Sequence, residues 1–302
     1  HWTTHQEGVD LRNNLPLLQS LRFDHAREIA GPRAMAQVEC ELTDHWEKAG
    51  LLEAYRADLD DRYRDGCVYT VRPTVLPDHL YPDLWLTEVA LEELAALPTN
   101  KPWFLWVSFS GPHEPFDVPL SWKGIHASSS IPAPEPRPQD FAKLSELAPI
   151  GSVLGRKIAR WPEGIPRQAL AALRIDYADH LSLLDAQIGE LLKALGQRPD
   201  AKQTAISVSS DHGELLGDWG LLLKGCFLEG AIRSLFVHRP PVGRNFVRNL
   251  SQVRNRPFGL TQLTWEASRA VRSPAEGSFG KRLRSIPKKV LVEFADEKLI
   301  IQ

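Results

Sequence analysis

The stretch SSDHGELLGDWGLLLK, Ser209–Lys224, follows an apolar run, Thr204–Ser209 (TAISVS), and places Asp211 and His212 directly before a glycine. The apolar run predicts a strand. In open α/β sheets ligands bind beyond the carboxyl ends of strands. A carboxylate oxygen and an imidazole nitrogen suit a divalent cation, and Lys224 adds a positive charge. An isolated Asp-His-Gly is also typical of a capped turn, so the interpretation depends on further residues.

A second strand exit supplies another histidine. The run Trp103–Phe109 (WFLWVSF) leads into Gly-Pro-His-Glu with His113 at its third position. If both strands run the same way in one sheet, His113 joins Asp211, His212 and Lys224 on one rim. There the histidine could protonate a leaving oxygen, while the cation and the lysine neutralise developing charge. This set predicts hydrolysis of a sulfate or phosphate ester. Taken singly, a loop histidine is more often structural and a lysine more often solvated.

The remaining patterns place these exits among helices and strands. Apolar spacing predicts a helix from Asp83 and a long helix from about Arg167 to Leu195. The apolar stripe of the long helix would include Leu181, and Gly196 would end the helix. Prolines make residues 127–140 a surface excursion. RSLFVH, residues 233–238, reads as another strand, and this strand–helix–strand order favours a parallel sheet. The last residues, KKVLVEF-ADE-KLIIQ, read as a β-hairpin.

Composition narrows the class of protein. The chain has 302 residues, 43% hydrophobic and 25% charged, with a formal net charge of −2, the balance of an ordinary globular protein. No basic surface for nucleic acid is indicated, and no apolar run approaches the roughly 20 residues of a membrane helix. The odd count of cysteines, Cys40, Cys67 and Cys226, argues against a disulfide framework or a zinc site and does not reveal the compartment, which could be cytoplasmic, periplasmic or secreted.

Three blocks carry a resemblance to a known family. KPWFLWVSFSGPHEPFDVP, YADHLSLLDAQIGELLKAL and SVSSDHGELLGDWGLLLKG resemble, in order and wording over roughly residues 80–240, three successive blocks of the sulfatase family in the alkaline phosphatase superfamily. The resemblance implies an α/β fold, a large mixed, mostly parallel sheet sandwiched by helices. It also implies a bound Ca²⁺, although another divalent cation would suit the same ligands, and a formylglycine nucleophile made from Cys or Ser.

The resemblance assigns roles to individual residues. Asp211 and His212 fall on metal-ligand positions, and His113 on the histidine that contacts the sulfate and assists the leaving oxygen. Lys224 falls on the lysine that holds the sulfate. HWTTH resembles the end of a Gly-Lys-x-His block, which makes His1 the histidine that takes a proton from the formylglycine hydroxyl, with His5 as a weaker rival.

The sequence also departs from the family pattern. No Cys or Ser is followed by x-Pro-x-Arg, none of the three cysteines fits, and the paired N-terminal aspartates of the metal shell are absent. We therefore expect residues 1–302 to be a partial sulfatase catalytic domain whose formylglycine lies upstream of residue 1 and whose C-terminal end is truncated. Residues 288–302 would begin a C-terminal antiparallel sheet. These residues alone are predicted to be inactive.

Three functions are compatible with this interpretation. The first is a sulfuric ester hydrolase acting on a small-molecule or carbohydrate sulfate ester. The second is a phosphonate or phosphodiester hydrolase of the same superfamily, and the third is an inactive sulfatase-like binding protein. The sequence names neither the ester nor an oligomeric state. Glu114 and Glu214 are interpreted as supporting or solvated groups, and Asp176, Asp179 and His180 as a polar face of the long helix.

Overall fold

A computed structural model describes residues 8–21, 23–64, 70–139, 141, 153–161, 163–243 and 298–301. These residues belong to two compact units. Unit 1 draws on His1–Ile131, Ala171–Arg198 and Phe294–Gln302, and unit 2 on Pro132–Leu170 and Pro199–Glu293. Each unit is therefore built from segments that are distant in the sequence. Whether both form one catalytic domain over residues 1–302 stays a prediction.

Helices and strands are interspersed along the chain. The strands are β1 His25–Arg27, β2 Phe104–Val107, β3 Ile206–Ser209, β4 Phe236–Arg239 and β5 Lys298–Ile301. The helices are α1 Leu15–Ser20, α2 Glu41–Lys48, α3 Leu52–Tyr63, α4 Pro82–Ala96, α5 Val153–Arg160, α6 Arg167–Gly196 and α7 Glu229–Ile232. Short 3₁₀ turns lie at Leu11–Asn14, Ala34–Ala36, Asp78–Leu80, Leu120–Trp122, Ala201–Gln203 and Asp218–Gly220. No helix within the described ranges combines the length and apolarity needed to cross a membrane.

Unit 1 contains a parallel sheet of order β1-β5-β2. In it Arg27 and Val107 both pair with Ile301. The carboxyl ends of β1 and β2 therefore lie at the same edge. β5 runs parallel to both neighbours, whereas the sequence suggested an antiparallel hairpin at 288–302; the first arm of that hairpin lies outside the described residues.

Side chains of helices α2, α3 and α4 form much of the hydrophobic core of unit 1. Trp46 of α2 is fully buried, its indole Nε1–H donates to the Leu80 carbonyl at 2.8 Å, and its ring lies 4.3 Å from that of Tyr55. The amino end of α2 is closed by the Cys40 N–H, which donates to the Thr43 hydroxyl. α4 begins at Pro82, a residue suited to a first helical turn because its missing N–H would have no helical partner there.

The long helix is confirmed, but its buried face differs from the predicted stripe. Leu181, assigned to the apolar stripe, has 46% of its surface exposed. Leu173 and Leu183 are fully buried, and so are the polar residues Asp176, Asp179 and His180, for which the sequence predicts a polar face. The reason is tertiary, because residues of unit 1 that are distant in sequence supply hydrogen-bond partners to these side chains. Asp179, for example, accepts from the backbone N–H groups of residues 124 and 126.

Unit 2 contains the two-stranded sheet β3-β4, which is antiparallel with Ile206 opposite Arg239 and Ser209 opposite Phe236. The sequence favoured a parallel arrangement here. Parallel pairing requires a crossover, usually a helix that spans the sheet. The connection from β3 to β4 contains only the short helix α7 and the 3₁₀ turn, so the chain returns antiparallel. The fold class, α/β with a mixed sheet, accommodates both kinds of pairing.

Candidate functional site

The stretch after β3 folds back on itself in unit 2. The Leu215 N–H donates to the Leu223 carbonyl at 3.4 Å and the Gly217 N–H to the Leu221 carbonyl at 2.8 Å. The Glu214 carboxylate accepts from the Leu223 N–H and so braces the returning chain. Glu214 and Leu215 therefore lie beside Leu223, which directly precedes half-buried Lys224.

The backbone of this fold-back adopts uncommon conformations. Leu216, Trp219 and Leu223 have φ values of 44°, 57° and 68°, which are rare for residues with bulky side chains. Gly217 and Gly220 also have positive φ, and the Gly217 Cα packs against the side chain of Leu170. Strained backbone of this kind persists only where its surroundings hold it, and it concentrates at functional sites.

Contacts from the proline-rich excursion hold the tip of the fold-back. The Trp219 N–H donates to the Glu135 carbonyl at 2.8 Å, and the Arg137 Nε donates to the Trp219 carbonyl at 2.8 Å. The Phe141 ring meets the Trp219 ring edge to face. Trp219 thus anchors Glu135, Arg137 and Phe141 in unit 2. Buried Lys157 adds a further bond, from its Nζ to the Leu222 carbonyl at 2.7 Å.

Asp211 and His212 form a pair of side chains that could coordinate a cation. His212 Nδ1 lies 2.8 Å from the Gly213 carbonyl, an acceptor, so Nδ1 carries the proton and Nε2 keeps its lone pair. Nε2 lies 3.5 Å from Asp211 Oδ2, and the Asp211 side chain is 86% exposed. A ligating histidine commonly donates its other nitrogen to a carbonyl in this way.

This pair fits a divalent cation chemically but is not a complete shell. Within the described ranges, no three His, Cys, Asp or Glu side chains group so that they could hold a metal ion. Asp211 and His212 would therefore need further ligands.

His113 lies in unit 1, in the loop that follows β2. Its Nδ1 is 2.8 Å from the Glu114 carbonyl and 3.0 Å from Glu114 Oε2, and its side chain is 36% exposed. The carbonyl can only accept, so neutral His113 carries its proton on Nδ1. Its Nε2 can then donate a proton only when the ring is the imidazolium.

Glu114 supports His113 in a way that the sequence pattern did not reveal. Its side chain is 5% exposed, and Oε1 lies 3.5 Å from Arg33 Nη1, whose side chain is 47% exposed. The Arg33 guanidinium also stacks over the Tyr63 ring at 4.5 Å. The sequence predicts a supporting or solvated role for Glu114, and the structure shows a buried carboxylate that contacts both a histidine and an arginine. No local signal separates it from other loop glutamates.

The predicted site residues therefore lie in both units. Unit 2 holds Asp211, His212 and Lys224, and unit 1 holds His113. That all four serve one site stays a prediction. His1, His5 and Cys67 lie outside the described residues. Cys40 is buried at the start of α2 and Cys226 is half-buried.

Comparisons with known proteins address the family directly. The family model described as Sulfatase matches residues 41–259, well over half of the chain. An arylsulfatase of Clostridium perfringens is 29% identical over 212 residues, 69% of this chain and 42% of that protein. Human iduronate 2-sulfatase is 32% identical over 153 residues, 48% of this chain and 28% of that protein.

One solved structure supports the fold. The phosphonate monoester hydrolase of Agrobacterium radiobacter superposes with a TM-score of 0.53 at 23% identity, over 68% of this chain and 43% of that one. At this identity the likeness concerns the fold alone, which is the α/β fold expected from the sequence. The chain spans less than half the length of each of these proteins. From the match over residues 41–259, the chain belongs to the sulfatase family, in the alkaline phosphatase superfamily.

Proposed function

We propose that this chain carries the anion-binding part of a sulfuric ester hydrolase. The observation that carries the proposal is the folded-back stretch Ser209–Lys224, in which Leu215 is bonded to Leu223. The residues that follow the Asp211–His212 pair therefore lie beside the residue that precedes Lys224. Membership of the sulfatase family supports the reaction class. The substrate would be a small-molecule or carbohydrate sulfate ester.

Each residue has a distinct part in this proposal. The ammonium of Lys224 takes a non-bridging sulfate oxygen and offsets the charge that grows there as the S–O bond breaks. His113, as the imidazolium, gives its Nε2 proton to the leaving alkoxide, and the buried Glu114 carboxylate stabilises that charged ring at Nδ1. His1 would accept a proton later in the cycle.

Two groups beyond these side chains complete the proposal. Asp211 and His212 would hold a divalent cation, expected to be Ca²⁺, together with further ligands. The cation would supply charge stabilisation at a sulfate oxygen, and a formylglycine N-terminal to His1 would supply the nucleophile. These parts rest on the resemblance and on the chemistry of the donor pair.

Hydrolysis by the full-length gene product tests the proposal. Lys224→Ala should lower kcat/KM for an aryl sulfate by roughly 10²-fold, the usual effect of removing one oxyanion donor. Lys202→Ala is the matched control, an exposed lysine of the same unit. The melting temperature should move little in both variants. Near-normal turnover by Lys224→Ala would show that the lysine is a solvated residue, and unfolding of the variant would show that its role is structural.

The same assay separates the alternatives. Sulfate and phosphonate esters share a tetrahedral anion, so a phosphonate monoester is assayed beside the aryl sulfate. A preference for the phosphonate would replace the proposed substrate class. An upstream sequence without a Cys/Ser-x-Pro-x-Arg block, together with no turnover of either ester, would identify a binding protein.

A further inference from the structure

A buried carboxylate in unit 1 holds the start of the loop that carries His113. Asp83, in the first turn of α4, is 1% exposed. Its Oδ1 accepts from the Ser110 N–H at 2.8 Å, the Ser110 hydroxyl at 3.1 Å and the Gly111 N–H at 3.1 Å. A first-turn acidic residue commonly caps its own helix. This one instead satisfies two backbone donors of a distant loop.

His180 of α6 completes the arrangement from the other side. Its Nε2 lies 2.8 Å from Asp83 Oδ2, and the ring is 3% exposed. Because an ionised carboxylate only accepts, Nε2 carries the proton. The Asp83–His180 pair packs against the Gly111 Cα so closely that a methyl group there would come under 3.0 Å from both side chains. Gly111 is thus the residue that lets the pair reach the loop.

Other bonds hold the far end of the same loop. The Tyr81 hydroxyl donates to the Asp117 carbonyl at 2.9 Å, and Arg62 Nη2 lies 3.3 Å from the Asp117 carboxylate. The His113 N–H donates to the Ser110 carbonyl at 3.3 Å. The residue that Asp83 holds is therefore bonded directly to His113.

We propose that Asp83 and His180 are positioning residues that fix Ser110 and Gly111, and thereby hold His113 in its Nδ1–H form against Glu114. This inference rests on the role proposed above for His113. A histidine released from the Glu114 carbonyl would exchange between its two tautomers and orientations. Small displacements of a reacting group cost rate even when binding is retained, so kcat should suffer more than KM.

Replacing His180 tests the positioning role in the full-length gene product. In His180→Gln the side-chain amide can place an N–H near the position of the imidazole Nε2, so the bond to Asp83 is preserved. In His180→Leu it is lost. The ring ¹⁵N resonances of His113, assigned with His113→Gln, report its tautomer. We expect the Nδ1–H form in the wild type and in His180→Gln, and averaged resonances in His180→Leu.

Activity gives a second readout. His180→Leu should lower kcat for an aryl sulfate by roughly tenfold or more with KM changed less than about threefold, and His180→Gln should recover most of the loss. Leu42→Ala, a fully buried residue of the same unit's core, controls for simple destabilisation. At an equal loss in melting temperature it should leave the His113 resonances unchanged.

The outcomes separate this inference from the proposed function. Unchanged His113 resonances in a folded His180→Leu would overturn the positioning role, and so would the same change in Leu42→Ala. If the wild type hydrolyses no sulfate ester, the resonances still decide the inference. If His180→Leu does not fold, Asp83→Asn replaces it. In this variant the side-chain NH2 group would either face the His180 Nε2–H, which is also a donor, or face the Ser110 and Gly111 N–H groups and lose their hydrogen bonds. Either orientation should release His113.

Discussion

At the residue scale, burial changes the titration of one carboxyl group, that of Glu28. Glu28 follows β1 at the carboxyl edge of the parallel sheet and is 8% exposed, and its buried Oε2 has no hydrogen-bond partner among the described residues. Burial raises the pKa of Glu28 from 4.5 to about 7 because the charged form loses its hydration.

The sign of its effect on stability follows from that pKa. Between about pH 4.5 and 7 folded Glu28 keeps a proton that the unfolded chain has released. Its contribution is therefore fully present below pH 4.5 and is lost as the pH rises through 7. Glu28→Gln, which does not titrate, should match the wild type at pH 4.5 and exceed it at pH 8.

Thermal melts across this pH range check the prediction. Leaving a buried polar group unsatisfied costs about 1–3 kcal/mol, and more when the group is charged. Because Glu28→Gln removes the charge, we expect the variant to melt several degrees higher at pH 8. Glu92→Gln serves as the control, since the Glu92 side chain is 72% exposed. An equal change in both variants, or a gain at pH 4.5 as large as at pH 8, would contradict the assignment to Glu28.

At the scale of elements, Gly213 lies where two segments of backbone pack closely, whereas Gly189 faces open space. A methyl group on Gly213 would lie under 3.0 Å from the carbonyl oxygens of Gly230 and Arg233, which are backbone atoms and cannot move aside cheaply. The Gly213 N–H also donates to the Ala231 carbonyl at 2.8 Å. This glycine lets the stretch after β3 lie directly against α7 and the residues that follow it.

Two alanine substitutions with opposite expected signs test this packing. Gly213→Ala should destabilise the protein by about 2 kcal/mol or more through overpacking. Gly189→Ala, on the exposed face of α6 with nothing within 4 Å, should stabilise it by about 0.5–1 kcal/mol because alanine loses less backbone entropy in a helix. Denaturant unfolding measures both. A Gly213→Ala variant as stable as Gly189→Ala would mean that the stretch is not packed as described.

At the scale of the whole molecule, the chain passes repeatedly between two units. Unit 1 takes three segments and unit 2 takes two, so neither is a continuous piece of sequence. His113 lies in the first and the Asp211–His212 pair in the second. If the Asp211–His212 pair binds a cation as proposed, binding should stabilise the folded state.

Calcium-dependent melting tests that expectation in the full-length gene product. A ligand at 100 times its Kd stabilises the folded state by about 2.7 kcal/mol. Calcium at that excess should raise the melting temperature by several degrees, and a chelator should reverse the gain. Asp211→Ala should abolish the gain, whereas Asp218→Ala, in the same folded-back stretch, should retain it. An unchanged calcium response in Asp211→Ala would reject the ligand assignment.

Local pattern was sufficient for much of the fold and for the family. Helix α4 and helix α6 follow their apolar spacing, β2 and β3 follow apolar runs, and Asp211-His212-Gly213 follows β3 as predicted. These features depend on residues close in sequence, so periodicity and motif spacing report them directly. The sulfatase resemblance, carried by three such blocks, agrees with the family match over residues 41–259.

Tertiary structure alone decided which polar residues are buried and what they hold. Asp83 lies 97 residues from His180 in sequence, yet the two share a hydrogen bond. Asp176 and Asp179 became buried only because a distant loop supplies their donors. The antiparallel pairing of β3 with β4 and the parallel pairing of β5 with β2 likewise depend on strand partners that no local sequence pattern identifies. A sequence pattern records neighbours along the chain, whereas burying a polar side chain requires partners that only folding brings within reach.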